Sequence, residues 1–439
     1  MKRYAKYKDS GAEWIGDIPE GWEKTKFKYE TLKSVQYGLN LNSDKYSQNG
    51  IRFLRTTDID DNGNICNDGV YLASNDVLKE QLLEKYDFLI SRSGTLGRTY
   101  LHLNQGLFSY AGYLVRFNFG NLTKSKFIFY FSKSKCFSDW IILNTIQSTI
   151  GNVNGEKYAN LILPLPPLKE QEQIVAYLDE KTSHIDKLLD ISKRKIELLK
   201  EQRASIINQV VIKGLNPNAK MKHSGVEWIG DIPESWGVVG LTKIIKIRHG
   251  HQFREIDFKD DGIKVIKITQ LDKNGFLNIE NCSFIDSSRV YEFKEILIKE
   301  EDVLMCLTGG TIGKIIKVGK VNEPLVQNYR VGHFSPINSK IQNNFMFWSL
   351  TSNFTLAQIL YELRETGQPN IGMEDFSRMK IILPPLEEQE QIVAYLDEKT
   401  STIDKSISIE ERRIGLLKEY RQSIISQVIT GKIKVIADE

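Results

Sequence analysis

Few residues in this 439-residue chain have the types and spacing that catalysis requires. The run Gly309-Gly310-Thr311-Ile312-Gly313-Lys314 comes nearest to a phosphate-binding loop. Such a loop needs four residues between its glycines and a Ser or Thr after the Lys to reach magnesium. Here only three residues separate Gly309 from Gly313 and Ile315 follows Lys314, so nucleotide binding is not expected. The Pro-Pro pairs at Pro166-Pro167 and Pro384-Pro385 have Leu on both sides. They lack the polar and aromatic neighbours with which a base-methylating enzyme would hold a flipped adenine. No Gly-x-Gly-x-x-Gly cradle and no Pro-Asp dipeptide occurs. His249-x-His251 is an isolated pair, better read as polar turn residues than as metal ligands. Cys66, Cys136, Cys282 and Cys306 form no Cys-x-x-Cys unit, which points to reduced thiols in a cytoplasmic protein and not to a disulfide or zinc framework. The expectation is a chain with no catalytic residues, no metal and no cofactor of its own.

Composition narrows the class further. Apolar residues at 41% and charged residues at 26% are ordinary for a folded protein and exclude a disordered one. Lys and Arg number 59 against 56 Asp and Glu, a net +3 that rules out a polycation but leaves room for local basic patches. No apolar run is long enough to span a bilayer, and the start MKRYAKYKDS has no apolar core of a signal peptide.

The elements that would position any site are written twice. Glu13–Glu20 and Glu227–Glu234 both read EWIGDIPE, and Glu170–Ser183 and Glu388–Ser401 both read EQEQIVAYLDEKTS. Weaker echoes join them: Ile51–Gly63 with Ile263–Gly275, Ser93–Arg98 with Gly309–Lys314, and Asn152–Asn154 with Asn370–Gly372. The offset stays between 212 and 218, so one unit has been duplicated in tandem. Each copy begins with short β-branched and aromatic runs broken by Gly, Asn and Asp, among them Ile51–Thr56, Asp87–Ser91, Ser109–Phe117, Ile263–Thr269 and Thr311–Val318. These predict strands, with a helix over Ser125–Ser134. After each Pro-Pro stop comes a long helix, free of Pro and Gly from Leu168 to Lys213 in the first copy. The resulting division is 1–160, a helix region 161–214, then 215–378 and a second helix region 379–439.

The long helices carry heptads. In the first, the seam positions run from Val175 through Leu178, Ile185, Leu189, Ile196 and Leu199 to Val210. In the second, Leu396, Ile403, Ile407, Ile414 and Leu417 stand at the same positions 218 residues on. Thr, Ser or Glu, and Arg interrupt both seams at the same three places. Sustained heptads predict a coiled coil between the two helices, and a pseudo-two-fold repeat predicts that they run antiparallel. About 50 Å from Val175 to Val210, at ~1.5 Å per residue, would make the pair a ruler between two globular domains.

The paired EWIGDIPE-x-Trp segments (with Trp22 and Trp236), the helix starts LPLPPLKEQEQIVAYLD and LPPLEEQEQIVAYLD, and the turns SGTLG and GGTIG together resemble the specificity subunit of type I restriction–modification systems over essentially the whole chain. The resemblance implies an α+β fold: two strand-rich α/β target-recognition domains separated by two long antiparallel coiled-coil helices. It implies double-stranded DNA with a bipartite target, two methyltransferase subunits and two restriction subunits as partners. S-adenosylmethionine, ATP and magnesium are then expected on those partners. Two rival classes remain: a self-contained restriction or methyltransferase enzyme, and a scaffold that binds no DNA.

Identical blocks suit two copies of one partner, so Glu170, Gln171, Gln173 and Tyr177, with Glu388, Gln389, Gln391 and Tyr395, are the expected partner face. DNA affinity comes mainly from phosphate neutralisation and sequence discrimination from base edges. Between Ser91 and Asn160 eight basic residues face two acidic ones; between Val303 and Leu360 five face one. The two turns suggest phosphate clamps through Thr95 and Arg98, and Thr311 and Lys314. Base readers should differ between halves. Gln36, Tyr37, Arg55 and Arg92 are candidates in the first, matched to Arg248, His249, Lys267 and Cys306 in the second, with Asn152, Asn154, Gln368 and Asn370 near the domain exits.

Overall fold

The computed structural model describes residues 2–435 apart from 75–76, 104–105, 147–150, 227–228, 273–276 and 367–369. It divides into two units, Met1–Lys193 with Glu411–Glu439, and Arg194–Glu410.

In the first unit the repeated block forms a hairpin of β1 (Tyr7–Asp9) and β2 (Asp17–Pro19), followed by β3 (Glu23–Lys26) and the single turn α1 (Phe27–Glu30). The main antiparallel sheet has the order β4-β10-β7-β8, from β4 (Gln36–Tyr37), β7 (Asp87–Ser91), β8 (Thr99–Leu101) and β10 (Leu114–Asn118). A second sheet sets β5 (Ile51–Leu54) between β6 (Val70–Leu72) and β9 (Phe108–Tyr110), with β5 and β9 parallel. Helices α2 (Leu122–Phe131), α3 (Lys135–Ile146) and α4 (Gly155–Ala159) follow, and β11 (Ile162–Leu165) returns to pair with β3. The core joins Phe27, Phe88, Phe117 and Phe131 to Val175, Leu178, Ile185 and Leu189 of the long helix α5 (Leu168–Lys213).

The second unit repeats this plan. A hairpin of β12 (Met221–His223) and β13 (Asp231–Pro233) precedes β14 (Gly237–Gly240). The main sheet is β15-β22-β19-β20, from β15 (Ile245–His249), β19 (Val303–Cys306), β20 (Ile315–Lys317) and β22 (Val331–Pro336). Beside it stand β16 (Phe258–Lys259), β17 (Ile263–Ile266), β18 (Ser283–Ile285) and β21 (Leu325–Gln327), with β17 and β21 parallel, as β5 and β9 are. Then come α6 (Asn343–Thr351), α7 (Asn353–Thr366), α8 (Met373–Arg378), β23 (Lys380–Leu383) paired with β14, and α9 (Leu386–Ile429).

Three sequence expectations shift. Ser109–Phe117 is two strands broken by a turn at residues 111–113; only residues 315–317 of Thr311–Val318 are strand, because its first residues form a hairpin turn; and the Ser125–Ser134 helix starts earlier, where Asn121 caps it by accepting the Lys124 amide.

The heptad seam is buried as the pattern requires. Leu178, Ile185, Leu189, Ile196, Leu396 and Ile403 are buried; Leu199, Ile407, Ile414 and Leu417 are half-buried. Its direction is antiparallel. Within the second unit Lys195 Nζ lies 2.7 Å from Glu410, whereas Arg203 Nε lies 2.9 Å from Asp404, so numbers rise on one helix as they fall on the other. In the first unit Arg421 Nε meets Asp186 at 3.1 Å. Arg203–Asp404 and Asp186–Arg421 are the same ion pair in its two copies, which explains why an Arg interrupts both seams. Thr182 and Thr400 are tolerated there because each hydroxyl donates to the carbonyl four residues back, Leu178 at 2.7 Å and Leu396 at 2.6 Å.

Each hairpin seals the end of a long helix. Gly214 and Gly431 close α5 and α9 at φ of +73° and +71°, the left-handed cap that glycine adopts without strain. A Cβ at Gly214 would lie 2.9 Å from Trp236, and one at Gly431 would lie 2.4 Å from Pro19 and 3.2 Å from Trp22. In the first unit Tyr7 also donates to the Gly431 carbonyl at 3.1 Å, and Lys2 bridges to Lys434.

Candidate nucleic-acid interface

One end of the main sheet in each unit gathers four chain segments. In the first unit these are the end of β4, the turn after β7, the 111–113 turn and the approach to α4. Backbone hydrogen bonds tie them: Arg92 N–H to Tyr113 O at 2.8 Å, Val153 N–H to Arg92 O at 3.0 Å, and Gly112 N–H to Leu39 O at 2.8 Å. The Gly155 amide donates to the Tyr37 hydroxyl at 3.0 Å, and the Arg92 guanidinium lies 4.9 Å from the Tyr37 ring centre. In the second unit Leu307 N–H donates to Arg330 O at 2.9 Å, Ile371 N–H to Leu307 O at 3.0 Å, and Asn370 bridges to Thr308. The frame is shared; the side chains on it are Tyr37, Arg92, Tyr113 and Asn152 in one unit and His249, Leu307, Arg330 and Asn370 in the other.

Strand register assigns the equivalences. Gln36 faces Arg116 on β10 and Arg248 faces His333 on β22, so Gln36 and Arg248 match, as do Tyr37 and His249. Arg55 and Lys267 match because each starts a short turn whose third residue, Asp58 or Gln270, accepts its backbone N–H. Arg92 does not match Cys306. Cys306 N–H bonds Lys314 O as Ser91 N–H bonds Arg98 O, which aligns Ser91 with Cys306 and Arg92 with Leu307.

Beneath the frame lies a buried acid–base strut. Arg116, 2% exposed, pairs with the fully buried Asp87 at 2.6 Å; His333 and Asp302 take their places in the second unit at 3.2 Å. Burial raises the Asp87 carboxyl above its ordinary range, although bonds from the Glu84 amide, Asn118 and Arg116 pull the other way. Arg248 Nη2 lies 2.9 Å from His333 Nδ1. A guanidinium can only donate, so Nδ1 accepts and Nε2 carries the proton toward Asp302.

The two glycine turns are hairpin connections. Gly97 and Arg98 amides donate to Ser91, and Gly313 and Lys314 amides close on Cys306 and Thr311. Gly94, Gly97, Gly309 and Gly313 all have positive φ, which accounts for their recurrence without invoking a ligand. The expected phosphate clamp is corrected on this point, because the cations are already engaged: Arg98 with Asp61 at 3.2 Å and Lys314 with the Leu271 carbonyl at 2.8 Å. Thr95 is exposed and Thr311 half-buried in these turns.

Other candidates are also committed. Arg55 pairs with Asp58 at 2.8 Å, and Lys267 donates to Ser283 at 2.7 Å. Asn154 caps α4 by accepting the Lys157 amide at 2.9 Å. Gln368 lies outside the described residues. In the first domain the local basic excess largely cancels, since Lys124 pairs with Glu30, Lys126 with Asp179 and Lys135 with Asp139; in the second, Lys317 pairs with Glu301. Lys133 is half-buried and donates to the Asp61 and Thr99 carbonyls; burial pushes its pKa down to about 7.

Two of the eight residues of the expected partner face, Gln171 and Gln389, prove to be interior, and this is a correction. Gln171 and Gln389 are 4% and 0% exposed, and their amides donate to the Pro166 and Pro384 carbonyls at 2.8 and 2.9 Å. Glu170 accepts the Trp22 indole N–H at 3.0 Å and Glu388 that of Trp236 at 2.8 Å. The identical blocks therefore grip one another. Gln173, Tyr177, Gln391 and Tyr395 keep accessible surface, with Lys181 and Lys399 lying over the two Tyr rings at 5.5 and 5.6 Å.

Residues 19–201 and 233–419 match the model of the type I restriction modification DNA specificity domain. The chain belongs to that family. The MjaVIII specificity subunit of a type I restriction enzyme from Methanocaldococcus jannaschii is 31% identical over 314 residues, covering 70% of each chain. The EcoKI specificity subunit of Escherichia coli is 22% identical over 447 residues, 95% of this chain and 90% of that one. A chain from a solved structure on complex assembly and conformational transition of the type I R-M system shares the fold, with TM-score 0.69 and 16% identity over 95% of this chain and 99% of that one. The chain is a type I specificity subunit with two DNA-recognition domains. Among the described residues no group of three or more His, Cys, Asp or Glu could hold a metal ion, and no helix is long and apolar enough to cross a membrane.

Proposed function

We propose that this subunit reads a bipartite DNA target, one half-site per domain, and assembles methyltransferase and restriction subunits around it. The observation that carries the reading is the repeated frame with divergent side chains. One backbone arrangement presents Tyr37, Arg92 and Tyr113 in one domain and His249, Leu307 and Arg330 in the other, as two different half-sites would require. The accessible surfaces of Gln173, Tyr177, Gln391 and Tyr395 form two like faces for two copies of one methyltransferase subunit. The subunit itself is non-catalytic; S-adenosylmethionine, ATP and magnesium act on the partners in the cytoplasm. The antiparallel helices set the spacer between half-sites.

Co-expression with a type I methyltransferase subunit, followed by genome-wide mapping of N6-methyladenine, tests this. The expected result is a bipartite motif that vanishes without this chain. Methylation by the purified chain alone would favour a self-contained enzyme, and affinity indifferent to salt would favour a scaffold that binds no DNA. Inserting a heptad into one long helix should change the spacer and leave the half-sites alone; altered half-sites with an unchanged spacer would refute the ruler.

A further inference from the structure

After the ion pairs are assigned, one arginine in each domain stands apart at the shared frame. Arg55, Arg98 and Arg116 are held by Asp58, Asp61 and Asp87. Arg92 has no carboxylate partner among the described residues, and its guanidinium lies against the Tyr37 ring. In the second domain Arg289 and Arg378 are held by carboxylates, and Arg248 by His333. Arg330 is exposed, lies 5.3 Å from the Tyr329 ring centre and donates Nε–H to the Tyr329 hydroxyl at 2.8 Å, with no carboxylate partner among the described residues. In both domains a tyrosine orients a charged fork whose terminal nitrogens remain available.

The two arginines do not occupy equivalent positions, and that is informative. Arg92 N–H donates to Tyr113 O in the first domain, and Leu307 N–H donates to Arg330 O in the second. The guanidinium has therefore moved from one side of a conserved hydrogen bond to the other. A phosphate contact, needed alike by both domains on the same backbone frame, has no reason to move. A base contact has, because the base it reads differs in place between half-sites. Planar, ring-stacked arginine is suited to the bidentate O6/N7 edge of guanine in the major groove.

We propose that Arg92 and Arg330 are the guanine-reading residues of the two domains, one for each half-site. The proposal rests on the DNA-recognition reading above and goes further by naming the base and the side chains.

The test is selection of a randomised duplex DNA pool by the full chain, comparing wild type with R92A, R92K, R330A and R330K, and measuring pool affinity across salt concentrations. Wild type should enrich two half-sites, each containing a guanine. R92A should lose that preference in one half-site by about 5- to 150-fold and leave the other intact, and R330A should do the converse. The lysine variants should keep pool affinity and still lose most of the preference, because the charge remains and the fork does not. Unfolding temperatures matching wild type show that the variants fold. If the alanine variants weaken binding to all sequences alike and lower the salt slope by about one, the residues are phosphate contacts, and the proposal falls while the DNA reading stands. If wild type enriches nothing and its weak affinity ignores salt, the DNA reading falls with it.

Discussion

Replacing Glu170 by Ala separates two explanations of the identical sequence blocks. Were Glu170 a partner contact, its loss would weaken assembly and leave the free chain as stable as before. In the structure its carboxylate accepts hydrogen bonds from Trp22 Nε1 and the Tyr4 hydroxyl. Trp22 is 1% exposed, so its stranded N–H cannot turn to water; Tyr4 is half-buried and can. A hydrogen bond to a charged group contributes about 1.5–3 kcal/mol, and leaving a buried donor unsatisfied carries the upper part of that cost. The expected loss for E170A is about 2–3 kcal/mol, or roughly 4–12 °C in a unit of this size. E388A should lose about 2 kcal/mol, since Trp236 is equally buried and donates to Glu388 at 2.8 Å. Denaturant unfolding of E170A, W22F and the double variant gives the coupling directly, expected at about 1–2 kcal/mol. Additive losses, or an E170A chain of wild-type stability that fails only in assembly, would refute the interlock.

Other consequences follow from the same contacts. G214A and G431A should each cost more than the ~1 kcal/mol of an ordinary cap change, because the added methyl meets Trp236 or Pro19; unfolding midpoints read this, and unchanged midpoints would contradict the packing. R421D should lose about 0.5–1 kcal/mol and D186R/R421D should recover it, whereas failure to recover would argue against the assigned helix register. Lys133 is neutral in the fold above pH about 7 yet charged in the unfolded chain up to about 10.5. The folded state then binds fewer protons, so stability should rise with pH across that window, by at most about 1.4 kcal/mol per unit. K133Q should flatten that rise in unfolding curves taken from pH 7 to 9; identical slopes would show that Lys133 is solvated.

The duplication and the helix pair were legible because both are periodic, one against itself at 212–218 residues and the other every seven. The heptads even marked the Arg of both seams as exceptions, and the structure supplies their Asp partners. Charge counting failed for a physical reason: ion pairs such as Lys124–Glu30 and Lys126–Asp179 join residues far apart in sequence, which a window cannot see. Tyr113 was missed because Ser109–Phe117 reads as one β-rich run, although the glycine within it opens a turn at the interface. Arg330 counted only toward net charge, and its place opposite Leu307 follows from a strand register that spacing does not reveal. Gln171 and Gln389 misled because polar residues off a heptad seam are ordinarily solvated. Here each turns back to satisfy a carbonyl of the Pro-Pro stop.

These assignments separate two kinds of constraint on one chain. The blocks that stay identical hold the frame: indole to carboxylate, glycine cap to hairpin, glutamine to proline carbonyl. Each contact lies within a unit, and each is made twice, so a change in either block disturbs the same joint in its own copy. The positions that diverge stand on strand ends and turns whose backbone bonds are already satisfied, so side chains there can change at small cost to folding. The buried strut shows how far this tolerance reaches. Arg116–Asp87 in one unit and His333–Asp302 in the other occupy the same strand register, and in the second unit Arg248 lies against the imidazole. Side chains at the sheet end can therefore be exchanged while the hairpin, the caps and the helix seam remain untouched.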